Sequence, residues 1–155
     1  RGNFVMFPSV VMPQRAGFTL EFEVKPEEVK PQQVLFAHQS TTFGGLTVEV
    51  RDGHVVLAYV HRNLHDWSLP WYSESRFRTQ VPLLAGQWQT VRITYNGSEL
   101  AIAANGRREA FPLQGTGIYL QSAGFGGRGE RRPDGSVPFF KGFLASFSVK
   151  HWVDE

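Results

Sequence analysis

The chain has 155 residues, 41% hydrophobic and 14% aromatic, with 16 Lys+Arg against 14 Asp+Glu, a composition that fits one globular domain and is too short for two. It contains no cysteine, which excludes a disulfide framework, thiolate zinc sites and a cysteine nucleophile. No apolar run approaches the roughly 18 residues of a membrane span, so a soluble chain without membrane insertion is expected, and a net charge of +2 is too small to point to nucleic acid. Twelve of the sixteen cations are arginine, whose planar fork suits carboxylate, sulfate or phosphate. Six of these fall in two stretches without regular pattern, Arg62, Arg76 and Arg78 in one and Arg128, Arg131 and Arg132 in the other. The chain opens Arg1-Gly2-Asn3 with neither methionine nor an apolar leader, so a single domain over 1–155, excised from a longer protein, is expected.

Strand patterning runs from end to end, and no window shows helical spacing of apolar residues. Phe18, Leu20, Phe22 and Val24 alternate with Thr19, Glu21 and Glu23, the period-two pattern of a half-buried strand. After a proline-rich break, Gln33 to His38 reads as the next strand. Leu46, Val48 and Val50 then alternate with polar residues, Asp52-Gly53 supplies a tight turn, and Val55, Leu57 and Tyr59 return, which predicts a hairpin. Val91, Ile93 and Tyr95 lead through Asn96-Gly97 to Leu100 and Ile102, and Asn105-Gly106 turns the chain again. A three-strand meander from about Gln87 to Phe111 follows from that pattern. A shorter strand around Ile118 to Gln121, a loop rich in glycine and arginine, and a last strand with Phe143, Phe147 and Val149 on one face complete the reading. About ten short strands without a helix predict an all-β, two-sheet antiparallel sandwich with solvated outer faces.

The run Leu84-Ala85-Gly86-Gln87-Trp88-Gln89-Thr90-Val91-Arg92-Ile93-Thr94-Tyr95-Asn96-Gly97, continuing to Asn105-Gly106-Arg107, resembles the central signature of laminin-G-like domains of the concanavalin A-like lectin superfamily. Phe18 to Val24, Gln33 to Phe36, Gly44 to Leu57 and Phe140 to Val149 are similar to other strands of that family, in order. The closing strand departs from it, with Ala145-Ser146 where the family often has paired acids. The resemblance implies a concanavalin A-like jelly roll, and relatives that bind glycans, bind proteins, cleave polysaccharides or act as spacers, so the fold does not deliver the function. Trp88 is out of phase with the Val91 face, which predicts a bulge or an outer-sheet pocket for an indole more than half buried. On that expectation it is structural, and truncating it would cost about 3–5 kcal/mol.

Catalysis is tested first on Glu21 and Glu23, which project together about 7 Å apart on one strand face, a distance an acid pair for glycoside cleavage can use. The third acid that the family's hydrolases carry is absent, because Val24, Lys25 and Pro26 follow. No catalytic residue is therefore assigned, and a solvated face is expected there. His61, His65 and Asp66 are metal-ligand types at close spacing, but His61 and His65 would align only on a helix, and no metal or other cofactor is expected. Neither a Ser-His-Asp order nor a phosphate-type glycine loop is discernible, since Gly124 to Gly129 leads into no helix.

The segment His61 to Arg78 is read as a loop between strands, and it combines Trp67, Trp71 and Tyr72 with Arg62, Asp66 and Arg76. Aromatic faces stack on sugar rings while polar neighbours fix hydroxyls or an anionic substituent, and long loops of this type commonly carry function. Contact with a neighbouring domain, or packing over a sheet end, would use the same aromatics. The sequence thus predicts a non-catalytic carbohydrate-binding or accessory interaction module of a secreted, periplasmic or cell-surface protein. Its partners would be a glycan, an acidic one if the second arginine cluster lies at the same end, or a neighbouring domain. A glycoside hydrolase or polysaccharide lyase on the same scaffold, or a purely structural domain, are the alternatives.

Overall fold

The computed structural model describes residues 5–7, 17–38, 45–62, 72–112, 123–125 and 140–152. Eleven strands and no helix lie among the described residues: β1 (Val5–Phe7), β2 (Gly17–Pro26), β3 (Gln33–His38), β4 (Gly45–Arg51), β5 (His54–Arg62), β6 (Tyr72–Pro82), β7 (Gln89–Tyr95), β8 (Glu99–Ala104), β9 (Arg107–Pro112), β10 (Ala123–Phe125) and β11 (Gly142–Trp152). They form a six-stranded sheet, β1-β10-β3-β4-β5-β6, and a five-stranded sheet, β11-β2-β7-β8-β9, with antiparallel pairing throughout. This is the expected two-sheet sandwich, the jelly roll of the concanavalin A-like class.

The predicted hairpins form where the turn residues permit them. Asp52 and Gly53 have φ of 52° and 77°, and Asn105 and Gly106 have φ of 50° and 75°, the left-handed conformations that tight hairpin turns demand. The apolar half of each alternating strand meets its counterpart across the sandwich. Phe18, Leu20, Phe22, Val91, Ile93 and Leu100 of the five-stranded sheet pack with Leu46, Val48, Val55, Leu57 and Tyr59 of the other in one buried cluster. Two aromatic pairs bridge the sheets, Phe36 of β3 on Phe147 of β11 at 6.0 Å and Phe77 of β6 on Phe111 of β9 at 4.6 Å.

Four expectations about the strands and faces are corrected. His61 to Arg78 is not one loop: β5 continues to Arg62 and β6 begins at Tyr72, with Arg62 opposite Tyr72 and Ala58 opposite Arg76. The first half of β6 is polar on both faces, so alternation did not reveal it, and its register comes from pairing with β5. Second, Ala123-Gly124-Phe125 at the head of the glycine-rich run is a strand between β1 and β3. Glycine carries no side chain to show periodicity. The strand expected around Ile118 to Gln121 lies outside the described residues. Third, the outer face of the six-stranded sheet is not solvated at its centre. Val34, Ala37, Val56 and Ala58 share the outward side with Glu49, and all five are buried. Fourth, Phe143 does not share a face with Phe147: the β11 register shifts between Leu144 and Ser146, so Phe143 pairs with Lys25 while Phe147 pairs with Phe22.

Two buried glutamines tie the sheets together at strand starts. Gln33 Nε2 donates to the Glu28 and Pro31 carbonyls, while its Oε1 accepts from the Lys141 amide next to β11. Gln89 Nε2 donates to the Leu84 and Gln87 carbonyls, and its Oε1 accepts from the Leu84 amide and from Asn105 Nδ2. Gln89 is in phase with Val91 and is 7% exposed, whereas Trp88 keeps 49% of its surface in solvent. Trp88 is out of phase with the core as predicted, but no bulge accompanies it, because the β2–β7 register runs unbroken from Val24↔Gln89 to Phe18↔Tyr95. The indole is therefore a surface group, and the large stability cost expected of it belongs instead to its neighbour. Gln89→Ala should cost about 2 kcal/mol through the polar groups it strands, and Trp88→Ala about 1 kcal/mol or less. Urea unfolding of both variants checks this order, which a less stable Trp88 variant would reverse.

Candidate functional site

Because the inner faces are consumed by packing, chemistry is confined to outer faces and loops. On the five-stranded sheet the register places Ser148, Glu21, Arg92, Ala103 and Arg108 in one row across the strands. Glu23 pairs with Ser146 and Thr90 in the next row. Beyond it Phe143 pairs with Lys25, and Trp88 directly precedes the residue paired with Val24. Phe143 and Trp88 are both about half exposed, so this end of the face presents two aromatic rings beside a lysine stem.

The predicted acid pair lies on this open face. The Glu21 carboxylate accepts from Arg92 Nε at 2.8 Å and lies 2.6 Å from Nη2. Glu23 is one strand repeat away, about 7 Å. Arg108 Nη2 lies 3.1 Å from Glu99 Oε1, and Arg107 Nη2 lies 4.0 Å from Glu109 Oε1. Glu109 also accepts from the Gln80 amide of β6 at 2.9 Å, linking the two sheets at one side of the sandwich. Between these arginines is an open depression of about 250 Å³, lined by Thr90, Arg92, Ala103, Asn105, Arg107 and Arg108 among others. Nothing in the sequence reading found it, because its residues come from three strands and a turn.

The structure treats the sequence-predicted ligand residues unequally. Arg76 lies on β6, where its Nη1 donates to Glu49 Oε2 at 3.0 Å. Gln32 Nε2 donates to the same oxygen at 3.2 Å. The guanidinium thus satisfies a carboxylate whose residue is 6% exposed, a structural duty in addition to any ligand contact. Arg62 and Tyr72 face each other across the last β5–β6 pair, which brings their backbones together at the sheet end. Asp66, Trp67 and Trp71 lie outside the described residues, as do Arg128, Arg131, Arg132 and His65. His61 is on β5 opposite Ser73. Among the described residues no group of three or more His, Cys, Asp or Glu is placed to hold a metal ion.

Comparison with known proteins agrees with this architecture. A family profile described as the concanavalin A-like lectin/glucanases superfamily, of laminin G type, matches residues 1–151. No curated protein sequence matches. Among solved structures, the chain is similar to mouse laminin alpha1 chain domains LG4-5, with TM-score 0.69, 11% identity, and coverage of 96% of this chain and 39% of that one. It is similar to domain 4 of AbnA, a GH43 extracellular arabinanase from Geobacillus stearothermophilus, in complex with arabinotriose, with TM-score 0.69 and 15% identity over 96% of this chain and 66% of that one. A native heptameric SAP-like pentraxin from Limulus polyphemus aligns with TM-score 0.60 and 16% identity over 94% and 68%. The chain spans well under half of the laminin chain it matches, and at these identities the likeness establishes the fold alone. With the profile matching nearly every residue and the two-sheet architecture in agreement, the chain belongs to the concanavalin A-like lectin/glucanases superfamily.

Proposed function

We propose that this domain is a non-catalytic binding module of an extracytoplasmic protein, and that its ligand is a glycan. The observation that carries the reading is the state of the outer strand face. Glu21, one acid of the candidate pair, is bonded by Arg92 on an open surface, and half-exposed aromatics and arginines share that face. A hydrolase needs two free carboxylates across a sugar-sized cleft; a binding module needs rings and polar groups on a rigid scaffold. The arabinotriose complex of the similar arabinanase domain supports a sugar ligand and an extracellular setting. In this reading Trp67, Trp71 and Tyr72, with Arg62, Asp66 and Arg76, form a sugar contact at the end of the sandwich where β5 stops at Arg62 and β6 starts at Tyr72.

A glycan array followed by titration of Trp67→Ala and Trp71→Ala tests this contact. Loss of one stacking ring should weaken binding by about 1–2 kcal/mol, and unchanged affinity in both contradicts the placement. Arg76→Ala behaves differently from the tryptophan variants. It removes the cation from the buried Glu49 and should cost about 1–3 kcal/mol of stability, read by thermal unfolding. Glu23→Gln separates module from enzyme: any polysaccharide cleavage by the parent protein should be unaffected and stability should move by about 0.5 kcal/mol or less. Loss of turnover in a folded Glu23 variant would instead make this face catalytic.

A further inference from the structure

The depression on the outer face of the five-stranded sheet has a lining of one charge sign. Arg92, Arg107 and Arg108 contribute to it and no carboxylate does. Ala103 lies between Arg92 and Arg108 in the cross-strand row, so the two arginines stand two strands apart, roughly 10 Å, on either side of the Ala103 methyl. Each is braced from outside the lining, Arg92 by Glu21 and Arg108 by Glu99. Exposed pairs of this type are weak, so they fix the orientation of the guanidiniums without competing strongly for an incoming anion. A guanidinium has five N–H donors. Glu21 engages Arg92 at Nε and Nη2, and Glu99 engages Arg108 at Nη2, which leaves donors on both. The half-exposed Trp88 precedes Thr90, a lining residue, by one strand repeat on the same face, about 7 Å.

We propose that this depression is a second binding site, for an acidic saccharide: the arginines take its carboxylate or sulfate group and the Trp88 ring carries the adjoining sugar. Fork-shaped donors suit both oxyanions, and the indole offers an apolar face to the C–H side of a ring. The proposal shares the glycan class with the reading above but stands on different residues, so the two can fail separately.

The test is calorimetric titration of the domain with three probes: trigalacturonate for carboxylate, a κ-carrageenan tetrasaccharide for sulfate, and uncharged maltotriose. At least one charged probe should bind, with affinity that falls as salt screens the site, and the arm that binds identifies the anion. The double variant Arg92→Gln/Arg108→Gln should weaken that binding on the order of tenfold or more. Trp88→Ala should weaken it severalfold, whereas Trp67→Ala and Trp71→Ala should leave it unchanged. If the double variant does not fold, Arg107→Gln, whose own acid partner is 4.0 Å away, must weaken binding alone. The proposal is overturned if neither charged probe binds, if maltotriose binds as tightly as the charged probes, or if the arginine variants bind like the parent. It is equally overturned if only the Trp67 and Trp71 variants lose affinity for the charged probe.

Discussion

Everything in this domain depends on the dry contact between its two sheets. Alternating strands such as Gly17–Pro26 and Gln89–Tyr95 carry their apolar residues on one side only, and that side is consumed by the opposite sheet. At roughly 25 cal/mol for each Å² of apolar surface buried, this contact is the dominant stabilising term, and no cystine or described metal cluster shares the task. The cost of sealing a sandwich falls at its ends, where connections pass between sheets and backbone groups lose water. Gln33 and Gln89 meet that cost. Each begins a strand of one sheet and hydrogen-bonds backbone of the connection leading from or into the other.

The same division of faces explains where the charge goes. Arginine is the common cation in this chain, and among the described residues it is organised in pairs with acids: Arg92 with Glu21, Arg108 with Glu99, Arg107 with Glu109 and Arg76 with Glu49. The pairs do two different things. Arg76 neutralises a carboxylate on the shielded outer face of the six-stranded sheet, where an unpartnered charge would be costly. On the five-stranded sheet the pairs stay in water and act as braces, holding guanidiniums around small residues. The centre of one sheet's outer face is shielded; the outer face of the other stays open to solvent.

Much of this was legible in the sequence where physics imposes a period. The β4–β5 hairpin and the β7–β9 meander could be placed from alternation and from Asp52-Gly53, Asn96-Gly97 and Asn105-Gly106, because a strand with one buried face and a turn with positive φ each restrict residue choice. The strands that escaped are those whose faces are not chemically distinct. Tyr72–Pro82 is polar on both sides over its first half, and Ala123–Phe125 and Val5–Phe7 are three residues each. The first arginine cluster read as irregular, Arg62, Arg76 and Arg78, therefore lies on β5 and β6. Trp88 misled because its phase was taken to require a bulge or an outer pocket that would bury it, whereas its parity with Thr90 and Arg92 simply places it outside; the parity of Gln89 with Val91 was the better signal. The depression was invisible, since Thr90, Ala103 and Arg108 meet only after the strands pair.

The central claim is that the outer face of the five-stranded sheet is a ligand surface supported by a core that takes no part in recognition. Amide chemical-shift mapping of the isotopically labelled domain during titration with the acidic oligosaccharide that binds tests it most directly. The account predicts shifts grouped at residues 88–92 and 103–108, with the inward strands β4 and β5 unmoved over Leu46–Val50 and Val55–Tyr59. Shifts confined to other parts of the chain, with residues 88–92 and 103–108 unperturbed at saturation, would contradict it.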